Sequence, residues 1–180
     1  MIGLLALLLL TESRRPARTD PDGELVRLPD QDRSLWDPSL IEEGQQLVRA
    51  CLRRNQPGPY QVQAAIAAVH SDAANAEMTD WHQIVVLYDQ LLAFTRSPIV
   101  QLNRAIALAE TGNLTEALDI IDRLDLEDYH LFHAARGDFL ERLDRHDEAA
   151  TAYATAAALT SNATEKAHLL ESQQRVLGTA

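Results

Sequence analysis

The scarcest residue types limit what this protein does. Its 180 residues include one cysteine, seven glycines and only 5% aromatic residues. Because Cys51 has no second cysteine to pair with, neither an intrachain disulfide nor a thiolate metal cluster is possible, which favours a reducing compartment. Seven dispersed glycines build no phosphate-binding loop, and no nucleophile elbow or Cys–His arrangement occurs. We therefore predict that the protein is not an enzyme and has no cofactor.

Positive charge is also scarce. Lysine and arginine number 16 against 27 acidic residues, for a net charge of −11, and residues 110–128 contain seven acids and one arginine. Such a surface repels phosphate, so direct binding of nucleic acid is not expected. The acidic segment is either a solvated helix face or a patch for a basic partner.

Long hydrophobic runs are absent apart from residues 1–10. A bilayer span needs roughly 20 apolar residues, and neither a basic leader nor a cleavage signal accompanies this run. We therefore predict a cytoplasmic protein without membrane contact, in which this run forms a buried helix that continues to about Arg18. An N-terminus this apolar also suggests that the sequence is a segment of a longer protein.

Residues that favour helices dominate the rest of the chain, and 46% of all residues are hydrophobic. Asp37 and Ser97 each precede a proline, as N-caps often do, and Asp80 and Asn162 also stand at cap positions. The sequence predicts about nine helices: residues 2–18, 37–54, 60–72, 80–94, 98–112, 114–123, 130–143, 146–160 and 163–177. Joined by short loops, they predict an all-α fold of antiparallel helix hairpins.

The second half contains an internal repeat. The segment 112–118 aligns with 144–150, which places Ala117 and Ala149 32 residues apart, and Ala105 and Gly137 share this offset. Small residues at these positions let two helices approach closely, while Ile121 and Tyr153 occupy a large-residue position that we expect to pack on the next unit. The pattern resembles tetratricopeptide repeats at 98–128 and 130–161, with 163–177 as a capping helix. It predicts a right-handed tetratricopeptide-like array.

We expect one compact domain built from three segments: an N-terminal helix plus ordered loop at 1–36, helical hairpins at 37–97 and repeats at 98–180. Residues 19–36 form the longest non-helical stretch, in which Glu24–Leu28 alternates as a short extended piece does. Ordered loops of this length are uncommon and often functional.

The histidines and tryptophans permit two interpretations each. His130 and His133 lie three residues apart on one helix face, as metal ligands do, but no carboxylate completes a known motif, so we interpret them as packing or surface residues. Trp36 and Trp81 stand at helix starts, where an aromatic either fixes a loop to the core or faces a partner.

Two sequence blocks resemble a known family. The blocks are D-Q-D-R-S-L-W-D at residues 30–37 and G-P-Y-Q-V-Q-A-A-I-A-A-V-H at residues 58–70. With the rest of the chain, they resemble the tetratricopeptide-like C-terminal extension of a bacterial subfamily of extracytoplasmic-function RNA polymerase sigma factors. The resemblance implies a regulatory domain that supports transcription initiation by contacting the sigma core regions or RNA polymerase, without the DNA-binding part.

The loop and the block after it supply the candidate interaction residues. Arg33 is expected to form a bidentate pair with Asp30 or Asp32. The loop is either an intradomain latch held by Trp36 or a contact for the partner. The full candidate set is Asp30, Gln31, Asp32, Arg33, Trp36, Tyr60, Gln63, His70 and Asn103.

Two other functions stay open on the sequence alone. One is a generic tetratricopeptide scaffold that binds a short peptide, with Asn103 and Arg104 on its concave face. The other is a small-molecule sensor or an unrecognised enzyme with a pocket near residues 20–36 and 60–70.

Overall fold

The computed structural model describes residues 1–21, 26–55 and 57–178. This part of the chain contains nine α-helices and no strand, so the predicted all-α fold of helix hairpins is confirmed. The helices are α1 (Ile2–Glu12), α2 (Pro38–Arg54), α3 (Pro59–Asp72), α4 (Trp81–Phe94), α5 (Pro98–Glu110), α6 (Leu114–Ile121), α7 (His130–Arg142), α8 (His146–Leu159) and α9 (Ala163–Gly178).

The chain divides into two compact units, Met1–Arg96 and Ser97–Ala180. The first two predicted segments, 1–36 and 37–97, correspond to the first unit, and the third, 98–180, corresponds to the second. None of the described helices combines the length and apolar character needed to cross a bilayer.

In the first unit, α1 packs against both α2 and α3, and α3 packs against α4. The core of this packing consists mainly of small and medium residues, namely Ala6, Leu10, Val48, Ala64 and Ala68. Gly44 of α2 allows the close approach of α1, because a Cβ atom there would lie 2.6 Å from Leu10 Cγ. The N-terminal run is therefore a helix, as predicted, but it is buried on one face only, since Leu4, Leu5 and Leu8 are exposed.

The end of α1 differs from its prediction. The helix ends at Glu12 and not near Arg18, and residues Arg15–Ala17 form a short 3₁₀ turn. Pro16 explains the early end, since its ring has no N–H to donate and clashes with the preceding turn of a continuing helix. The buried Ser13 hydroxyl donates to the Leu10 carbonyl at 2.9 Å and closes the last turn.

A hydrogen bond joins the first and last residues of the loop between α1 and α2. The backbone N–H of Asp37 donates to the Ser13 carbonyl at 2.9 Å. The Asp37 carboxylate then caps α2 by accepting from the backbone N–H groups of Ser39 and Leu40, as predicted. Within the loop, the predicted extended piece at 24–28 falls partly outside the described residues, and Leu28 opens a 3₁₀ turn.

The second unit is a series of packed helix pairs: α5 on α6, α6 on α7, α7 on α8 and α8 on α9. Three repeat positions, Ala105, Ala117 and Ala149, are fully buried. Gly137 meets the ring of Tyr153 so closely that an added Cβ would lie 2.7 Å from it. This contact joins α7 and α8 of one hairpin, and the Tyr153 hydroxyl donates to Glu141 of α7 at 2.7 Å. These contacts of Tyr153 lie within its own hairpin, whereas the sequence predicted packing on the next unit.

Several helix ends in the second unit also depart from the predictions. Pro98 begins α5 as expected, but the Ser97 side chain makes no cap hydrogen bond. The same helix ends at Glu110, because Gly112 adopts a φ of +90° and turns the chain away. Asn162 caps α9 as predicted, through the N–H groups of Thr164 and Glu165.

Candidate functional site

The acidic and amide side chains of the candidate loop have local roles. Asp30 accepts from Arg27 Nε at 3.0 Å, and Asp32 accepts from the backbone N–H of Ser34 at 2.9 Å. Hydrogen bonding by the side chain and the backbone N–H of Ser34 lowers the pKa of Asp32 below its usual value. Gln31 donates to the Val26 carbonyl at 3.1 Å. The predicted Arg33–Asp pair is therefore wrong, because both carboxylates are bound to groups within three residues of themselves.

Arg33 reaches across the unit to the end of α3. Its Nη1 donates to the carbonyl of His70 at 2.7 Å and to that of Ala73 at 2.6 Å, and its Nη2 lies 3.3 Å from the buried Thr79 hydroxyl. The last carbonyls of a helix have no partner within the helix, so a guanidinium is a natural donor for them. This contact links the two blocks that carry the family resemblance.

Trp36 lies at the centre of this contact. Its side chain is 5% exposed, and its ring centroid is 5.0 Å from Arg33 Cζ and 5.9 Å from Arg14 Cζ. Both distances fall in the range of cation–π attraction. The geometry is that of the intradomain latch, in which the buried ring and Arg33 fix the loop to α3.

His70 occupies a half-buried position beside the latch. Its ring stacks edge-on against Trp81, with 5.3 Å between centroids. Burial, together with the nearby charges of Arg14 and Arg33, lowers the pKa of His70 to about 4. The imidazole is therefore neutral near pH 7 and acts as a packed ring.

The other three candidate residues lie apart from this cluster. Tyr60 is exposed at the start of α3, Gln63 is half-buried on the same helix, and Asn103 is half-buried on α5 of the second unit. Sequence reasoning missed Arg14, because extending α1 through Arg18 placed it on an ordinary helix surface. The proline at position 16 was the signal that the helix ends earlier.

The paired histidines of α7 contact separate groups. His130 Nε2 is 3.2 Å from a Glu165 carboxylate oxygen, and His133 Nε2 is 2.8 Å from the Glu127 carbonyl. Among the described residues, no three histidine, cysteine or acidic side chains are grouped as metal ligands are. The carboxylate of Glu165 also accepts from Thr160 Oγ1 at 2.8 Å.

A cavity of about 170 Å³ lies between α2, α3 and α4. Its wall includes the half-buried Cys51 thiol, Val62 and Leu87. The sensor alternative placed a pocket near residues 20–36 and 60–70. This cavity touches only the beginning of the second range, so it does not involve the latch.

An apolar stripe lies on the outer face of α1. Leu4, Leu5 and Leu8 are 38%, 48% and 56% exposed, whereas Gly3, Ala6 and Leu10 on the opposite face are buried. A helix that is apolar all round normally has protein on every side. The stripe, defined as Leu4, Leu5 and Leu8, is therefore a face suited to contact with another surface.

Comparison with known proteins places this region in context. Residues 1–52, which contain the stripe and the whole loop between α1 and α2, match a family of unknown function, DUF6596. An uncharacterized protein of Rhizobium meliloti (strain 1021) is 44% identical over 171 residues, which is 94% of this chain and 40% of that protein. The chain thus spans about two fifths of its relative's length. No solved structure matches the chain.

Proposed function

We propose that this chain is an accessory domain of a bacterial extracytoplasmic-function sigma factor, acting in the cytoplasm through protein–protein contacts with the sigma core or RNA polymerase. The proposal includes that the helix hairpins are tetratricopeptide-like repeats. The observation that carries it is the apolar stripe on α1, where three exposed leucines of one helix offer a docking face. The two resembling blocks, which meet through Arg33 and His70, belong to the same unit, and their resemblance is the reason for proposing a sigma core or RNA polymerase as the partner.

The stripe has the composition of an interface core. Three leucines of one helix face contribute apolar area without a charge between them, and binding would remove that area from water. The acidic charge of the chain argues for protein over nucleic acid as the partner. The relative, with three fifths of its length outside the match, is long enough to contain both an accessory domain and further regions.

The direct test is binding of the chain to core RNA polymerase and to the sigma regions encoded in the same reading frame. We expect Leu4→Gln with Leu8→Gln to weaken the interaction roughly 30-fold, since each half-exposed leucine contributes about 1 kcal/mol when it is buried. The matched control is Leu170→Gln with Leu177→Gln on α9, where the two leucines are 39% and 51% exposed. The absence of sigma regions in the frame, or equal weakening by both pairs, would refute the proposal.

A further inference from the structure

Arginine side chains cluster near Trp36 in the first unit. Arg14 and Arg33 lie within 6 Å of the ring centroid, and Arg18 contributes a third positive charge near Arg14. None of the ion pairs formed among the described residues includes any of the three.

Arg14 is the least compensated of the three. Arg33 donates to two carbonyls, and Arg18 Nη2 donates to the Thr11 carbonyl at 2.6 Å. Arg14 makes no hydrogen bond with the described residues, and its Nε is buried without an acceptor. Burial and the charges of Arg18 and Arg33 all lower its pKa, which means that each neighbouring charge disfavours the cation. A half-buried guanidinium whose Nε has no acceptor among the described residues is poorly compensated, so a bound negative group would stabilise it.

A second donor supports the same conclusion. The indole Nε1 of Trp36, on a side chain that is only 5% exposed, is also buried without an acceptor. Buried N–H groups of this kind almost always have a partner in a native protein. Two N–H donors without acceptors and two guanidinium groups near one ring are the kind of donor set that binds oxyanions, because the several lone pairs of an oxyanion accept from planar N–H groups.

We propose that Arg14, Arg33 and Trp36 form a binding site for an oxyanion, either a carboxylate or a phosphate, that locks the loop between α1 and α2 onto α3. The anion neutralises Arg14 and accepts from the donors that the chain itself leaves without partners. Its occupancy stabilises the latch, so anion concentration tunes how firmly the loop is held. The inference rests on this cluster alone and does not depend on the proposed partner.

The test is the thermal stability of the full chain in rising concentrations of inorganic phosphate or of acetate, against sodium chloride at matched ionic strength. The wild type should show a saturable rise in melting temperature, since a ligand at ten times its Kd shifts the unfolding equilibrium about tenfold. Arg14→Met should show no such rise. In chloride alone, Arg14→Met should melt at or above the wild-type temperature, because it removes an uncompensated charge.

Arg15→Met is the matched control. Arg15 is adjacent in sequence, its side chain is 77% exposed, and it pairs with Glu12 at 2.8 Å outside the cluster. We expect it to keep the full anion response. If both variants lost the response, the effect would be general charge screening, and the proposal would be overturned. A response retained in Arg14→Met would also overturn it.

A second measurement does not depend on the folding of the Arg14 variant. The chain has two tryptophans, so Trp81→Phe leaves Trp36 as the single indole emitter. Its fluorescence should change saturably with the anion that fits the site, and comparison of phosphate with acetate identifies which source is preferred. A flat titration with both anions, together with an unchanged melting temperature, would overturn the proposal.

Discussion

Replacement of Arg33 by methionine tests whether the latch stabilises the first unit. Methionine keeps the aliphatic chain near Trp36 but removes the guanidinium that donates to His70 and Ala73 at 2.7 and 2.6 Å. A hydrogen bond from a charged donor contributes about 1.5 to 3 kcal/mol, and we take the lower part of that range for these partly buried bonds. The free energy of unfolding should therefore fall by about 2 to 3 kcal/mol, or roughly 10 to 20 °C in melting temperature for a unit of this size.

Denaturant unfolding followed by tryptophan fluorescence is the assay for Arg33→Met. Both tryptophans, Trp36 and Trp81, lie in the first unit, so their emission reports on that unit, while circular dichroism at 222 nm also follows the helices of the second. The control is Arg27→Met, because the Arg27 side chain is mostly exposed and its ion pair within the described part of the chain is a local one, with Asp30. If Arg33→Met lost no more stability than Arg27→Met, the latch would not hold the unit together.

Two further predictions concern the packing of the second unit and the pH response of the first. Gly137→Ala should lower the free energy of unfolding by about 1 to 3 kcal/mol despite the better helix propensity of alanine, because the new methyl group would lie 2.7 Å from the ring of Tyr153. Gly178→Ala is the control: its methyl group would have nothing within 4 Å, so that variant should be neutral or mildly stabilising. Thermal melts followed by circular dichroism compare the two, and a Gly137→Ala variant at least as stable as the wild type would contradict the close approach. Because the folded pKa of His70 is about 4, against 6.5 in the unfolded chain, His70 adds stability above pH 6.5 that is lost as the pH falls towards 4, with a slope of at most about 1.4 kcal/mol per pH unit. Unfolding titrations between pH 7 and 4.5 should show a shallower loss for His70→Gln than for the wild type, and parallel pH profiles would refute the depressed pKa.

The helices were largely predictable because their signals are local. Asp37 before Pro38 and Asp80 before Trp81 each mark a cap, and the structure has the corresponding hydrogen bonds. The small residue at position 137 was recognised from a repeat, and its close contact with Tyr153 explains why the position excludes a larger side chain. Helix ends were less predictable, as at Glu110, where the turn depends on the conformation of a glycine two residues later.

The partners of the candidate residues were not predictable from sequence. Arg33 was assigned to the nearest carboxylates, yet its acceptors are the carbonyl groups of residues 37 and 40 positions away, which become available only because α3 ends beside the loop. Glu165 lies three residues after the Asn162 cap, as in a capping box, yet its carboxylate turns to Thr160. Such choices depend on tertiary proximity, which spacing along the chain does not encode.

The hydrogen bond between Ser13 and Asp37 holds the two ends of the intervening loop together. The distance between its two stems is set by that bond and not by the number of residues in between. Doubling the length of such a loop costs only about 0.6 kcal/mol of closure entropy. Homologous chains can therefore have a longer, shorter or differently shaped loop while α1 and α2 keep their mutual orientation. This loop is thus the place where related proteins can differ in what they recognise.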